Sequence, residues 1–374
     1  MSQKPFKDLK VCVIGPVPPP AGGMANQTAE LCRLLRLEQS QVTLVATNAP
    51  YSPVWVGEIR GIRALFRLIP YLYRLRQALK QADVAHLLAN SGWSWHLFAA
   101  PAVWIAHWVG TPIVLNYRGG HAESFFATSW RWVAPTLKRA STCTVPSLFL
   151  AEVFSQRQVS TRIIPNTLDQ ELFYPPEQQP ANRRDIEQNQ TPGPLLIITR
   201  NLETIYGIDL AIRAMPEILT IHPNARLVIA GSGPEQQALE SLAESLGIIQ
   251  QIEFCGRLGR QQIASLYRQA DLMINPSRID NSPNSIIEAL GSGLPVVSTR
   301  AGGIPKLVKH DETALLVDLE SPEAIAKATL QLLADPELRH RYSENGIEFS
   351  RRFQWQQVKT DLLQVYQQAQ DGSV

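Results

Sequence analysis

Cysteine is scarce in this chain: Cys12, Cys32, Cys143 and Cys255 are the four in 374 residues, and no two share a CxxC spacing. That scarcity excludes a disulfide framework and a thiolate zinc site, and it suits a reducing cytoplasm. Export is not expected either, because the apolar run Val11 to Ile14 is too short for a signal core. No internal repeat or low-complexity segment stands out. Charge of one sign is also missing overall, with Lys+Arg 35 against Asp+Glu 33 and no nucleic-acid motif, so a nucleic-acid partner is not expected. What remains is 45% hydrophobic and 18% charged, the balance of a globular protein long enough for two domains.

The long apolar run nearest to a membrane span is Val84 to Tyr117, which contains no Asp, Glu, Lys or Arg. Asn90, Ser91, Gly92, His96, Pro101, His107, Gly110 and Pro112 interrupt it. Its longest stretch free of polar residues, Leu97 to Ala106, has about half the length a span needs. A buried strand–helix–strand unit is the expected reading. The balanced charge conceals an asymmetry: residues 1–180 hold 17 Lys+Arg against 10 Asp+Glu, and the rest hold 18 against 23. Seven of the eight tryptophans also lie in the first 180 residues. The two halves are therefore expected to meet different partners.

Strand-length apolar runs alternate with helical patterns, which predicts βα units and parallel sheets. The first half gives strands at Lys10–Ile14, Val42–Ala46, Asp83–Leu87, Ile113–Asn116, Cys143–Val145 and Arg162–Ile164. Helices are predicted over Met24–Arg36, Gly61–Lys80, Trp95–Trp108 and Ser147–Ser155, with Pro70 and Pro101 kinking or splitting the second and third. Tyr174–Pro194 carries five prolines and little apolar content, and reads as a linker. The pattern then restarts with strands at 195–199, 226–231, 252–256, 271–275 and 295–299, as in a doubly wound domain that binds ligand at the carboxyl ends of its strands. The expected division is 1–174 with the tail 353–374, a linker 175–194, and a second domain 195–352.

The segment INPSRIDNSPNSIIEALGSGLPVVSTRAGGIP (274–305) is the most informative. A strand ends at Asn275, a polar loop follows, and a helix begins near Asn284. Such a junction offers free amides and the positive end of a helix dipole to phosphate or sugar oxygens. Asp280 lies on the loop, and Glu288 sits inside the helix where it can accept hydrogen bonds from a vicinal diol. Read singly, the first is an ordinary loop carboxylate and the second a solvated helix residue. Gly22 and Gly23, between the first strand and its helix, allow close backbone approach and positive φ. The basic segment Arg60–Lys80 reads either as an interfacial membrane helix or as an amphipathic helix with a basic outer face. Most of Trp93, Trp95, Trp104, Trp108, Trp130 and Trp132 are expected in the core.

Taken together, 274–305 resembles the donor-site signature of family 4 glycosyltransferases of the GT-B fold, with Asp280-x7-Glu288 where that family has E-x7-E. Matching pieces fall in order: PPPAGGMA with Gly22 and Gly23, IPNTLDQELF (164–173), GSGPE (231–235) and LYRQADLMINPS (266–277). The resemblance implies an α/β protein of two doubly wound Rossmann-like domains facing across a cleft, with the C-terminal helix crossing back to the first. It implies a retaining, metal-free transferase without cofactor, moving a sugar from a nucleoside-diphosphate sugar to an acceptor hydroxyl in polysaccharide, lipopolysaccharide or other glycan synthesis. The absence of DxD at the donor loop agrees with that. By resemblance Glu288 binds the donor ribose and Asp280 the transferred sugar. Amides around Ser282, Pro283 and Asn284 lie near sugar and phosphate, and Gly22 and Gly23 approach the diphosphate.

Two departures stand out. The family's phosphate-neutralising Arg and Lys are Asn201 and Tyr206 in TRNLETIYG (199–207), leaving Arg200, Arg278 or Lys306 as substitute cations. In LNYRGGHAESFF (115–126), Arg118 stands where relatives place a His, with His121 three residues on. Arg118 is read as an anion-binding group and His121 as a substitute for that His, or both as ordinary surface residues. The acceptor is expected to be a glycan or lipid-linked hydroxyl, met by a cytoplasmic protein peripheral to the inner face of the membrane, with a soluble small metabolite as the other reading. The alternatives are a non-catalytic partner subunit of the same fold and a sugar-nucleotide epimerase.

Overall fold

The computed structural model describes residues 5–19, 22–50, 59, 63–176 and 193–372. Arg60 and most of the expected linker, 177–192, lie outside the described residues. Inner strands buried on both faces, flanked by partly exposed edge strands such as Gln41–Ala46 and Arg162–Ile163, form two parallel six-stranded sheets. The first contains β1 (Lys10–Gly15), β2 (Gln41–Ala46), β3 (Val84–Ala89), β4 (Ile113–Tyr117), β5 (Thr142–Val145) and β6 (Arg162–Ile163), in the order β2-β1-β3-β4-β5-β6. The second contains β7 (Leu195–Ile198), β8 (Arg226–Ala230), β9 (Ile252–Gly256), β10 (Leu272–Asn275), β11 (Val296–Thr299) and β12 (Leu315–Val317), in the order β12-β11-β10-β7-β8-β9. The chain forms two compact units, Met1–Thr167 with Trp355–Val374, and Leu168–Gln354.

In the first unit the two-residue alternation along β1 sorts its side chains to opposite faces. Val11 and Val13 pack with helix Gly23–Leu37 and with Val358, Leu362 and Tyr366 of helix Trp355–Asp371. Cys12 and Ile14 face helices Arg63–Leu79, Ala100–Val109, Ala122–Leu137 and Leu148–Ser155. The uncharged stretch becomes β3, a π-helical turn Trp95–Ala99, helix Ala100–Val109 and β4. Among the described residues no helix is long and apolar enough to cross a membrane. Pro101 lies where the π turn hands over to α geometry, so the predicted break is real, whereas helix Arg63–Leu79 runs unbroken through Pro70.

The tryptophans depart from expectation. Only Trp95 of the six is fully buried, while Trp93, Trp108 and Trp132 are 77%, 73% and 61% exposed. Helix Ala100–Val109 turns Ala102, Val103 and Ala106 to the sheet, which leaves Trp108 facing outward. Trp104 and Trp130 are half-buried beneath the guanidinium groups of Arg139 and Arg157.

In the second unit, helices Ile208–Ile221, Gln236–Ser245 and Pro322–Ala334 cover one sheet face, and helices Arg260–Gln269 and Asn284–Gly291 cover the other. Leu168 and Phe173 belong to that core, so this unit begins earlier than the composition break suggests. Leu168 seats on Gly291, where an added Cβ would lie 2.6 Å from its Cδ2, and its N–H donates to the Phe353 carbonyl at 2.8 Å. In each sheet the winding reverses once, between β1 and β3 and between β7 and β10. The carboxyl ends of such neighbouring strands form the crevice where doubly wound domains take ligand.

Candidate functional site

At the β7/β10 reversal the sequence places three short segments together. β7 delivers Thr199 and Arg200, β10 delivers Asn275 and the loop to Asp280, and helix Asn284–Gly291 delivers Glu288. Arg200 Nε donates to Asn275 Oδ1 at 3.0 Å, and its Nη2 donates to the Asp280 carboxylate. The guanidinium lies over the Tyr206 ring, 4.9 Å from its centroid. The ion pair is only 13% and 11% exposed on its two side chains. Asp280 is braced further: the Asn281 N–H donates to its Oδ1 at 2.8 Å and the Gly303 N–H to its carbonyl at 2.9 Å. The backbone tolerates no Cβ at two contacts. A Cβ on Gly302, at φ +48°, would lie 2.2 Å from the Asp280 carbonyl oxygen, and one on Gly231 would lie 1.8 Å from that of Arg200.

Glu288 is half-buried and hydrogen-bonded to Tyr267, whose hydroxyl also meets Thr199 Oγ1 at 2.6 Å. Burial pushes the Glu288 carboxyl up to about 7, against the pull of Arg260, Arg200 and the Tyr267 hydrogen bond. Burial, with the Glu288 charge beside it, holds Tyr267 well above its ordinary range. Arg200 is lowered by burial, although Tyr206, Tyr267 and Glu288 all favour its charged form. Arg260 in turn pairs with Asp169 at 3.3 Å. Sequence reasoning did not single out Tyr267, Asn275, Arg260 or Asp169 as functional. Three of them lie inside motifs that it quoted (Tyr267 and Asn275 in LYRQADLMINPS, Asp169 in IPNTLD), so the signal was present but read as spacing. Ser282 and Asn284 stand at the entry to helix Asn284–Gly291, which is N-capped by Pro283.

Other predicted residues lie differently. Arg278 is not directed at this cluster but clamps two carboxylates, Asp209 at 2.7 and 2.9 Å and Glu320 at 2.7 and 3.1 Å. Its Nη1 also donates to the Thr204 carbonyl at 3.0 Å, and the hydrogen bonds to Asp209 lead in raising its pKa. Lys306 is exposed on the short helix Ile304–Leu307. Of the three candidate cations, Arg200 is seen to join Asp280 and Glu288. In the first unit, Gly22 caps helix Gly23–Leu37 at φ −174°, and neither it nor Gly23 has positive φ, which corrects the conformational part of that expectation. His121 is an exposed N-cap of helix Ala122–Leu137. Arg118, just after β4, is half-buried and donates to Asn166 Oδ1 at 2.5 Å.

Residues 21–172 match the model of Glycosyltransferase Family 4, and residues 179–349 match that of Glycosyl transferases group 1. The chain belongs to this glycosyltransferase family. An uncharacterized glycosyltransferase of Methanocaldococcus jannaschii is 29% identical over 252 residues, 67% of this chain and 64% of its own length. A D-inositol 3-phosphate glycosyltransferase of Acidothermus cellulolyticus is 30% identical over 230 residues, 59% of this chain and 50% of its own. The chain thus spans 64% of the first of these relatives and half of the second. Among solved structures, a sucrose-phosphate synthase from Thermosynechococcus elongatus superposes with a TM-score of 0.73 at 21% identity, covering 97% of this chain and 100% of that one. Anabaena HepE in complex with UDP and glucose gives 0.72 at 19% identity, covering 96% and 99%. These likenesses show the GT-B fold, the two-sheet α/β architecture of the family.

Proposed function

We propose that this protein is a retaining glycosyltransferase that moves a sugar from a nucleoside-diphosphate sugar to an acceptor hydroxyl in glycan synthesis. The observation that carries the reading is the Glu288 carboxylate held beside Arg200 and Asp280 at the carboxyl ends of β7 and β10. Glu288 accepts the hydroxyls of the donor ribose, and Asp280, fixed by Arg200, faces the transferred sugar. As the glycosidic bond breaks, charge builds on the departing diphosphate, and catalysis depends on groups already aimed at that charge. Arg200 and the first-turn amides of helix Asn284–Gly291 are those groups here, standing in for the cations absent at positions 201 and 206. The UDP and glucose held by the Anabaena structure support the donor class. The test is a panel of nucleoside diphosphates and their sugars, scored by thermal shift and by slow donor hydrolysis. One donor is expected to raise the melting temperature by several degrees and to be hydrolysed. If none binds at millimolar concentration, the non-catalytic partner reading replaces this one. Conversion of the donor to its epimer without acceptor would favour the epimerase.

The acceptor side is assigned to a membrane surface. Residues 60–139 hold ten Lys+Arg against two Asp+Glu. Phe66, Ile69 and Tyr73 are exposed on helix Arg63–Leu79, beside helix Ala100–Val109 with the exposed Trp108. Apolar and aromatic tips among cations suit the headgroup layer of an anionic bilayer. Co-sedimentation with vesicles containing phosphatidylglycerol is expected, weakening with salt and falling at least about fivefold in the combined Ile69→Ser, Trp108→Ser variant. Equal binding to neutral and anionic vesicles, or none, rejects this assignment.

A further inference from the structure

The first unit holds a cation that its own residues leave uncompensated. Arg118 follows β4, its backbone N–H fixed to the Ala89 carbonyl at 2.9 Å. Its Nη1 donates to Asn166 Oδ1, a neutral amide, and its enclosed Nε has no acceptor. Among the described residues no carboxylate pairs with it. The surrounding groups are neutral as well. His86 is held near 3 by burial and by the Arg118 charge, so it stays unprotonated between Asn116 at 3.1 Å and the Tyr366 hydroxyl at 3.0 Å. Burial alone lowers Arg118 to about 10, with no anion restoring it. A guanidinium remains charged at neutral pH, and holding one partly desolvated without a counter-ion is expensive.

The site is also built. Asn166 is buried, and the next residue is fixed by the buried Gln27, whose Nε2 donates to the Thr167 carbonyl at 3.2 Å and whose Oε1 accepts the Thr167 N–H at 3.2 Å. On the other side Gly119 presses on the loop after β3. A Cβ there would lie 2.8 Å from Ser91 Oγ and 2.9 Å from Asn90 Oδ1. Arg118 therefore stands among fixed polar groups, at the end of the sheet where this topology takes ligand.

We infer that Arg118, with Asn166, binds a phosphate group carried by the acceptor, so that the acceptor substrate is a phosphorylated hydroxyl compound. This deepens the proposed function and rests on it. The guanidinium fork matches a phosphate edge with two parallel N–H···O bonds, which a lysine cannot reproduce. The phosphate belongs either to a soluble phosphate ester or to a lipid headgroup, and the experiment separates the two.

Inorganic phosphate is titrated into the full chain with 15N-labelled arginine, the Arg118 guanidinium resonance being assigned by its loss in Arg118→Lys. A saturating shift of that resonance is expected in the wild type and equally in Glu288→Ala. The second variant keeps a failure of donor binding apart from a failure of this site. Glycerol 3-phosphate is expected to give the same shift and glycerol none, with affinity for the ester at least tenfold weaker in Arg118→Gln. If Arg118→Gln leaves phosphatidylglycerol-vesicle binding intact, the phosphate is soluble; if vesicle binding falls with it, the phosphate is a headgroup. The inference is overturned if the resonance ignores phosphate, or if it moves only with nucleoside diphosphates. Because the wild-type resonance reports directly, a variant that fails to fold does not leave the question open.

Discussion

Glu288→Ala is expected to lose donor-induced stabilisation while retaining its fold. Two charge-assisted hydrogen bonds to a ribose diol, less the weak replacement by water, amount to about 3 kcal/mol, or roughly a hundredfold in Kd. Glu288→Gln, which keeps the shape but not the charge, falls between the two. Calorimetric titration with the best donor of the panel measures both. A Kd within a factor of three of wild type in Glu288→Ala would remove Glu288 from the donor site.

The same residue predicts a pH profile. With its carboxyl pushed up to about 7, Glu288 is largely ionised at pH 8 and largely protonated at pH 6. The ionised form accepts both diol protons, so donor affinity should be flat above about pH 8 and fall by up to about tenfold per unit below 7. In the free protein the linkage runs the other way. The folded state holds the Glu288 proton more tightly than the unfolded chain, whose value is near 4.5, so this group's contribution to stability is lost as pH rises from about 4.5 through 7. Glu288→Gln removes both slopes; a pH profile of donor binding unchanged by that substitution assigns the titration elsewhere.

The second large effect concerns the Arg200–Asp280 pair. Removing one member of a nearly buried ion pair strands the other charge, which typically costs about 3–5 kcal/mol, whereas replacing both by apolar groups is close to neutral. Arg200→Met is therefore expected to lower the melting transition of the second unit by roughly 6–20 °C and to abolish transfer. The double variant Arg200→Met, Asp280→Leu should recover much of the stability and none of the activity. This split distinguishes a pair that holds the loop from one that also acts on the departing phosphate. Recovery of transfer in the double variant would show that neither charge takes part in the chemistry.

Both sheets were largely legible because parallel strands buried on two faces read as unbroken apolar runs, so β1 to β11 can be placed within one or two residues. Helix Ala122–Leu137 was not legible. Phe125, Phe126, Thr128, Trp130, Trp132 and Val133 are weak helix formers, and Pro135 sits inside it. Helices Pro322–Ala334 and Pro336–Ser350 carry plain start signals: Ser321 and Asp335 each accept an N–H from the first turn, and each is followed by proline. In the site, Asp280 and Glu288 were legible because a single motif holds them. What escaped depends on distant partners: Arg278 meets Asp209 and Glu320 across 69 and 42 residues, which no local pattern encodes. The exposure of Trp108 and Trp132 escaped for a similar reason, since a hydropathy pattern cannot tell which side of a helix finds a sheet.

The second unit, Leu168–Gln354, is an insertion in the first. During synthesis, β1 to β6 leave the ribosome long before helix Trp355–Asp371, which supplies Val358, Leu362, Val365 and Tyr366 to their core. At about 5–20 residues per second, translating the insertion takes roughly 10–40 s. For that interval the face of the nascent first sheet that helix Gly23–Leu37 packs on lacks the rest of its cover, and His86 has no Tyr366 hydroxyl. The domain begun first is thus completed last, and the inserted domain has time to fold before the one that encloses it in sequence.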